Sequence, residues 1–199
     1  MLGHVAFIHD GHPYCVPMLY AQVDDKVYVH GSTASRLVRA LSEGVSACMT
    51  VTIVRGLVLA RSAFEHSANY DSVMLFGTFK RIVDSAERLA AFEAFTNTLV
   101  PGRWAEVRGP TRKELKATAI LSLEIEEASG KSRTGGPEDD DSLDARTDTW
   151  AGVLPIGATF GDPVPASGLR PDIALAPSVR RMLARGTRQE ATPYRIPGD

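Results

Sequence analysis

The sequence predicts a mainly β protein, a small antiparallel barrel of five or six strands with few helices. The first reason is that short apolar or alternating runs dominate the first third of the 199-residue chain. The second is that turn signals separate these runs, at Asp10-Gly11 and at residues 24–26. The third is a pair of longer runs, residues 45–54 and 117–126, in which apolar and polar residues alternate as in half-buried strands.

Six segments carry the strand signal, and residues 57–60 are a further candidate. The six are residues 4–8, 14–23, 27–30, 45–54, 71–83 and 117–126. Pro17 removes a backbone donor from the second segment, which favours an edge strand or a bulge there. Gly77 interrupts the fifth segment and indicates a bulge or the close approach of another backbone.

Two helices are predicted from apolar spacing and end signals. The first follows Gly31 and ends at Gly44, and its apolar face is Ala34, Leu37, Val38 and Leu41. The second begins after Asp84, whose spacing to Glu87 resembles a capping box. It ends at the Pro-Gly pair of residues 101–102, and its apolar face is Leu89, Phe92, Phe95 and Leu99.

The composition changes after Gly130. Residues 134–148 contain a Gly-Gly-Pro step and an acidic run, which predict a mobile loop. Residues 162–199 are rich in Pro, Gly and Arg without apolar periodicity, which predicts a largely disordered tail. The chain therefore divides into a barrel domain over residues 1–156 and a tail over residues 157–199.

Charge and composition exclude several classes of partner. The formal net charge is −2, so nothing points to a nucleic acid or a membrane surface. No apolar run is long enough to span a bilayer, and the first residues lack a signal-peptide pattern. Cys15 and Cys48 lie in apolar runs and are expected to be buried thiols rather than a disulfide, which fits the reducing cytoplasm.

Residues 28–36 are the strongest candidate for a binding site. The strand is expected to end at His30, break at Gly31 and turn directly into a helix. The first turn of a helix has unpaired N–H groups and a partial positive charge, so it attracts anions. Hydroxyl and guanidinium donors suited to phosphate follow at Ser32, Thr33, Ser35 and Arg36. The alternative is that Ser32 simply caps the helix.

The sequence carries no motif for a nucleophile, a phosphate-binding loop or a zinc protease. Its five histidines are scattered and join no cysteine cluster, so no metal site is expected. If the protein is an enzyme, a cofactor supplies the chemistry. Thr50 and Thr52 lie on the polar face of their strand, which is either solvated or lines the site of a flat polar ligand.

Several blocks of the sequence resemble the pyridoxamine-phosphate-oxidase-like flavin-binding split barrels, on the branch that includes the nitroimidazole reductases. The blocks occur in family order over about residues 3–156. They are residues 27–36, 60–64, 69–77, 100–104, 112–116 and 127–131. The resemblance implies a six-stranded split barrel that forms a homodimer and holds two FMN molecules at the dimer interface.

The resemblance also implies the positions of the cofactor contacts. The phosphate is expected beside Ser32, Ser35 and Arg36, in agreement with the anion site, and Thr33 belongs to the same turn. The flavin ring is expected along Thr50, Val51 and Thr52, and Lys131 is expected near the cofactor or the interface. His30 matches a functional histidine beside the flavin; the alternative is a strand-end histidine that only satisfies a backbone carbonyl. Asp71 replaces an arginine that is usual in the family.

Three functions are consistent with these observations. The first is an FMN-dependent oxidoreductase that passes electrons from reduced nicotinamide through the flavin to a small-molecule acceptor. The second is a flavin-binding carrier or sensor without turnover. The third is a split barrel that uses another flavin-like cofactor or haem.

Overall fold

The computed structural model of the chain describes residues 2–139 and 143–189. The chain forms two compact units, each built from several segments. The first unit is Met1–Val51, Val73–Ser129 and Leu175–Met182, and the second is Thr52–Ser72, Gly130–Ala174 and Leu183–Asp199.

The described residues form seven strands, four α-helices and two short 3-10 helices. The strands are β1 Leu2–His9, β2 His12–Val23, β3 Lys26–Ser32, β4 Ser46–Leu59, β5 Ser67–Arg81, β6 Thr118–Arg133 and β7 Gly152–Pro155. The α-helices are α1 Arg36–Ser42, α2 Ser85–Leu99, α3 Arg112–Ala117 and α4 Pro177–Gln189. The 3-10 helices are Trp104–Glu106 and Leu143–Arg146. None of the described helices combines the length and the apolar character needed to cross a membrane.

Six strands form the predicted barrel. They are hydrogen-bonded in the order β1-β2-β3-β6-β5-β4, and β1 also pairs with β4, so the sheet closes on itself. Alternate side chains of the strands in the first unit point inward and exclude water. The core includes Val5, Val29, Met49, Phe79 and Leu121. The prediction of a mainly β, six-stranded antiparallel barrel with few helices is therefore confirmed.

Pro17 does not mark an edge strand, and that prediction is wrong. β2 lies between β1 and β3, and Pro17 faces His4 in the ladder with β1. β3 pairs with β2 only at residues 20–23, so Pro17 has a strand partner on one side alone. A missing backbone donor is tolerated where no strand needs it.

The first helix begins later than predicted. β3 continues through Gly31 to Ser32, and α1 starts at Arg36 with Ser35 as its N-cap. The Ser35 side chain accepts a hydrogen bond from the Val38 N–H at 3.2 Å. Ser32 therefore does not cap the helix, because the chain still needs a turn after the strand.

The C-terminal region contains a helix that was not predicted from its composition. α4 lies within residues 157–199, and Ser178 at its start is fully buried. Its backbone N–H and Oγ donate to the Glu106 carboxylate at 2.8 and 2.5 Å. These two hydrogen bonds hold the start of the helix against Glu106, and the predicted disorder of the tail stays a prediction. The predicted boundary at residue 156 stays a prediction, and residues 190–199 lie outside the described part.

The second unit orders part of the segment that was predicted to be a mobile loop. Asp139 is fully buried, and both its oxygens accept hydrogen bonds from Arg61. In the same unit β7 pairs with the second half of β4 at residues 56–59, so the candidate strand at 57–60 is a continuation of β4. Residues 140–142 lie outside the described part.

The two cysteines are free, as predicted, but neither of them is fully buried, so the prediction of buried thiols is wrong. Cys15 is exposed and Cys48 is half-buried. Cys15 pairs with Ala6 on the face of β1 and β2 opposite to that of buried Phe7. An apolar run thus predicts the strand but not the direction of each side chain.

Candidate functional site

The turn between β3 and α1 brings the predicted phosphate contacts together. Ser32 Oγ accepts a hydrogen bond from the Ala34 N–H at 3.2 Å, as Ser35 Oγ does from Val38. Each hydroxyl keeps its own proton for donation, because accepting a bond uses only the oxygen. Thr33 lies between them and is half-buried. The turn can therefore offer hydroxyl donors to an anion, although its backbone N–H groups are largely used internally.

Arg36 supplies the charge of this turn. Its Nη1 donates to Tyr14 Oη at 3.1 Å, and its guanidinium lies 5.8 Å from the centre of the Tyr14 ring. Among the described residues no carboxylate pairs with Arg36. Tyr14 is itself stacked on Phe7, with ring centres 5.3 Å apart and planes 16° apart. Arg36 is thus an accessible cation whose position is held by the Tyr14 ring, which itself packs on Phe7. Such a cation is suited to bind a phosphate.

His30 lies on β3 beneath helix α2. Its ring meets Phe95 edge-on, with centres 4.5 Å apart. Its Nδ1 is buried and has no hydrogen-bond partner among the described residues. Burial lowers the pKa of His30, so the ring is neutral at pH 7. The alternative, in which His30 only donates to a backbone carbonyl, is therefore not seen at Nδ1. Buried polar atoms normally have a hydrogen-bond partner, so this nitrogen is suited to bind a ligand hydroxyl or a water.

Thr50 and Val51 occupy β4 in the same unit. Thr50 Oγ1 lies 3.7 Å from Cys48 Sγ on the polar face of the strand. Among the described residues no hydrogen bond joins Thr50 to the turn at residues 32–36. The predicted phosphate turn at residues 32–36 and the predicted ring contacts on β4 are therefore not joined by a hydrogen bond in the described part of the chain.

A groove of about 460 Å³ in the first unit is lined by one neighbour of each of these two parts of the predicted site, and its lining does not include the predicted contact residues themselves. Its lining includes Tyr14, which holds Arg36, and Cys48, which contacts Thr50. Phe76 and Glu126 also line it. The volume is within the range of small-molecule sites, and the lining combines apolar walls with a few polar groups, as such sites do.

Two predicted contacts belong to the second unit. Thr52 Oγ1 is 2.8 Å from Ser72 Oγ. Lys131 Nζ lies 6.0 Å from the centre of the Tyr70 ring and forms no ion pair among the described residues. These two residues stay predictions as cofactor contacts.

Asp71 is engaged within the second unit. Its carboxylate accepts hydrogen bonds from Ser132 Oγ at 2.7 Å and Arg55 Nε at 2.6 Å. These two bonds lower the pKa of Asp71, with the Ser132 bond the larger cause. Asp71 is negative where the family usually has a positive arginine, and here Arg55 on the neighbouring strand supplies the positive partner.

Sequence reasoning missed Asn69. This residue is fully buried in the second unit, donates Nδ2 to the Gly135 carbonyl at 3.0 Å and accepts from Arg133 Nη1 at 2.8 Å. It ties the end of β6 to the start of β5. The sequence block at 69–77 contained it, but a single asparagine gives no signal of its distant partners.

His66 was also missed, because it stands alone in an irregular segment. Its Nδ1 lies 2.8 Å from the Ser62 carbonyl. Among the described residues its Nε2 has no hydrogen bond. Because a carbonyl oxygen only accepts, this contact is a hydrogen bond in which Nδ1 donates its proton.

The comparisons with known proteins agree with this fold. The family model described as pyridoxamine 5′-phosphate oxidase matches residues 1–132. The chain therefore belongs to this family of flavin-binding split barrels, as the sequence blocks predicted. No curated protein matches the sequence.

Two solved structures are similar over most of their length. The "FAD and Heme binding protein" from Mycobacterium smegmatis is 44% identical, with 91% of this chain and 88% of that chain covered and a TM-score of 0.86. The flavocytochrome Anf3 from Azotobacter vinelandii is 39% identical, with 90% and 83% covered and a TM-score of 0.82.

A third structure shares the fold at lower identity. It is a 5-nitroimidazole antibiotic resistance protein from Bacteroides thetaiotaomicron, 18% identical, with 65% of this chain and 75% of that chain covered and a TM-score of 0.52. At this identity the likeness concerns the fold alone.

Proposed function

We propose that the protein is a flavin-dependent oxidoreductase whose flavin phosphate is held by the turn at residues 32–36. The observation that carries the proposal is the groove between Tyr14 and Cys48, since these residues contact Arg36 and Thr50 respectively. Arg36 and the hydroxyls of Ser32, Thr33 and Ser35 would bind phosphate by charge-assisted hydrogen bonds. Thr50 would orient the ring.

The flavin that we propose is FAD rather than the FMN expected from the sequence. FMN is the cofactor implied by the resemblance, whereas the relative that is 44% identical is named for FAD and haem. The relative that is 39% identical is named as a flavocytochrome. We therefore propose haem as the second group of this chain. Both FAD and FMN carry a phosphate, so the turn suits either.

The chain's own residues bind and orient the cofactor rather than perform the chemistry. A bound flavin would accept a hydride from a reduced nicotinamide and pass electrons to a small-molecule acceptor. His30, neutral and with an Nδ1 that has no partner among the described residues, would bind a hydroxyl of substrate or cofactor. A carrier or sensor would bind the flavin equally well but would not oxidise nicotinamide.

A titration of the flavin-free protein tests the proposal. Flavin fluorescence is followed as FAD and, separately, FMN are added, and the loaded protein is then assayed with reduced nicotinamide and an electron acceptor. We expect a lower Kd for FAD and steady oxidation of nicotinamide. A lower Kd for FMN would overturn the choice of FAD. Binding without oxidation would favour a carrier or sensor, and no binding would overturn the proposal.

A further inference from the structure

A second groove of the first unit, about 690 Å³ in volume, shares no lining residue with the groove between Tyr14 and Cys48. It is bounded by the turn into β3, the end of β5, the first turn of α2 and the middle of β6. Its volume is in the range of sites that bind small molecules.

Ser122 of β6 lines this groove with a hydroxyl that has no partner. The residue is only 7% exposed, and its hydroxyl forms no hydrogen bond with any described residue. Ser122 faces Tyr28 in the ladder between β3 and β6, so both side chains lie on the same side of the sheet. The Tyr28 hydroxyl donates to Glu87, whereas the Ser122 hydroxyl is left for another molecule.

Two carboxylates in the first turn of α2 each keep one oxygen available. Oε1 of Glu87 accepts from Lys26 Nζ and from Tyr28 Oη, both at 2.9 Å. These bonds lower the pKa of Glu87, with the Lys26 bond the larger cause, so the group is ionised at pH 7. Asp84 uses Oδ1 to accept the Glu87 N–H at 2.8 Å. Glu87 Oε2 and Asp84 Oδ2 have no hydrogen bond to described residues, and such oxygens suit an ammonium group.

Arg81 supplies a positive charge to the same groove. The two lysines of the lining are already paired, Lys26 with Glu87 and Lys80 with Glu124 at 2.5 Å. Arg81 is exposed and forms no ion pair with a described residue. A guanidinium without an acidic partner suits the carboxylate of a ligand, which it can bind through two parallel hydrogen bonds.

The charges of the groove disfavour simpler ligands. A lone anion would face the carboxylates of Glu87 and Asp84, and a lone cation would face Arg81. Among the described residues no group of three or more His, Cys, Asp or Glu side chains could hold a metal ion. A molecule that carries both an ammonium group and a carboxylate satisfies both kinds of available charge. Exposed Val83 on the wall leaves room for an apolar side chain as well.

We propose that this groove binds an amino acid or a short peptide in its zwitterionic form. Arg81 binds the carboxylate, Glu87 and Asp84 bind the ammonium group, and the Ser122 hydroxyl donates to an oxygen of the ligand. The site requires no flavin, so it is independent of the proposed function.

Calorimetric titration of the full chain with the dipeptide leucylglycine tests the proposal. Two matched probes are its N-acetyl form, which lacks the ammonium group, and its C-terminal amide, which lacks the carboxylate. We expect leucylglycine to bind and each blocked form to have a Kd at least about tenfold higher, because each loses one charge-assisted contact. Amide NMR shifts on binding should fall in residues 80–87 and 122–125.

Two variants assign the contacts. Arg81→Gln should raise the Kd for leucylglycine at least about tenfold and should bind the dipeptide and its amide equally, because the group that recognises the carboxylate is gone. Ser122→Ala should raise the Kd by about two- to tenfold. Arg112→Gln, at an exposed position on α3 outside the groove, is the control and should bind as the wild type.

Three results would overturn the proposal without affecting the flavin titration. They are no binding of leucylglycine by the folded wild type, equal dissociation constants for the three probes, and NMR shifts confined to residues outside the groove. Melting temperatures establish that each variant is folded. If Arg81→Gln does not fold, the blocked probes and Ser122→Ala decide.

Discussion

Two side chains of the candidate site, Arg36 and His30, owe their properties to their immediate neighbours. Arg36 is an accessible cation because Tyr14 supports it and no described carboxylate neutralises it. His30 is neutral because burial against Phe95 lowers its pKa. Each property leads to a prediction for a single substitution.

Arg36→Ala should weaken flavin binding more than Arg39→Ala. Arg36 stands in the proposed phosphate turn, whereas Arg39 is exposed one turn later. Loss of one charge-assisted contact should cost about 1.5–3 kcal/mol, which is a rise in Kd of about tenfold or more. Fluorescence titration of both variants with the same flavin measures the difference, and equal dissociation constants would remove Arg36 from the site.

His30 should make the protein sensitive to acid. Because its folded-state pKa is lowered, the unfolded chain binds a proton more readily than the folded chain. The associated stability is present above the unfolded pKa of about 6.5 and is lost as the pH falls through the folded pKa. His30→Gln should therefore flatten the fall in the free energy of unfolding below pH 6.5.

Urea unfolding at several pH values checks this prediction, with His12→Gln as the control.

The same His30→Gln preparation tests the functional role. At full flavin occupancy the rate with an electron acceptor should be lower than that of the wild type. An unchanged rate would remove His30 from the active site, and an unchanged acid profile would contradict its buried, neutral state.

At the scale of elements, alternation and turn chemistry predicted the strands well. Ala47 and Met49 of β4 and Leu121 of β6 are buried where the pattern placed them. Asp84 accepts the Glu87 N–H at 2.8 Å, so the second helix begins where its cap was predicted. The pattern fails at Ile53, which is exposed although its strand neighbours suggested the core. Periodicity shows which residues lie on the same face of a strand. It does not show at which residue other parts of the protein cease to pack against that face.

Helix ends and the C-terminal region depended on contacts that are distant in sequence. The start of α1 depends on how far β3 pairs with β6, and that pairing reaches Ser32. The order of α4 depends on Glu106, which lies more than 70 residues before it. Neither the β3–β6 pairing nor the Ser178–Glu106 contact can be inferred from the residues that adjoin it in the sequence. The groove and the ring orientation of His66 could not be predicted for the same reason.

Gly77→Ala should destabilise the barrel strongly. A Cβ at Gly77 would collide with the Glu124 carbonyl oxygen, a backbone atom that cannot rotate away. Overpacking of this kind costs about 1–3 kcal/mol or more. Gly130→Ala is the control because open space surrounds that position. Urea unfolding should show a large loss for the first variant and almost none for the second; similar values would contradict the close approach.

Ser178→Ala should loosen the C-terminal helix. The hydroxyl of Ser178 is buried and donates to a carboxylate, and such bonds contribute about 1.5–3 kcal/mol. Ser167→Ala, at an exposed position earlier in the same region, is the matched control. We expect faster amide hydrogen exchange in residues 177–185 for Ser178→Ala alone. Equal exchange in both variants would show that the helix is held in another way.

For the whole molecule we predict a homodimer with the cofactor at its interface. The resemblance implies this dimer, and the barrel leaves apolar side chains of the first unit exposed. They include Leu2, Ile8, Leu19 and Met74. Stable homodimers bury about 2,000 Å² or more in total. Light scattering at micromolar concentration should give twice the mass of 21.5 kDa; a monomer with flavin bound would contradict this prediction.

The absorbance spectrum of the purified protein, with mass identification of what heat or acid releases, tests the central claim most directly. The proposed function predicts flavin bands and a Soret band, with FAD and haem as the released molecules. Flavin bands with released FMN would keep the oxidoreductase and correct the cofactor. A colourless protein that also fails to take up added FAD, FMN or hemin would contradict the account.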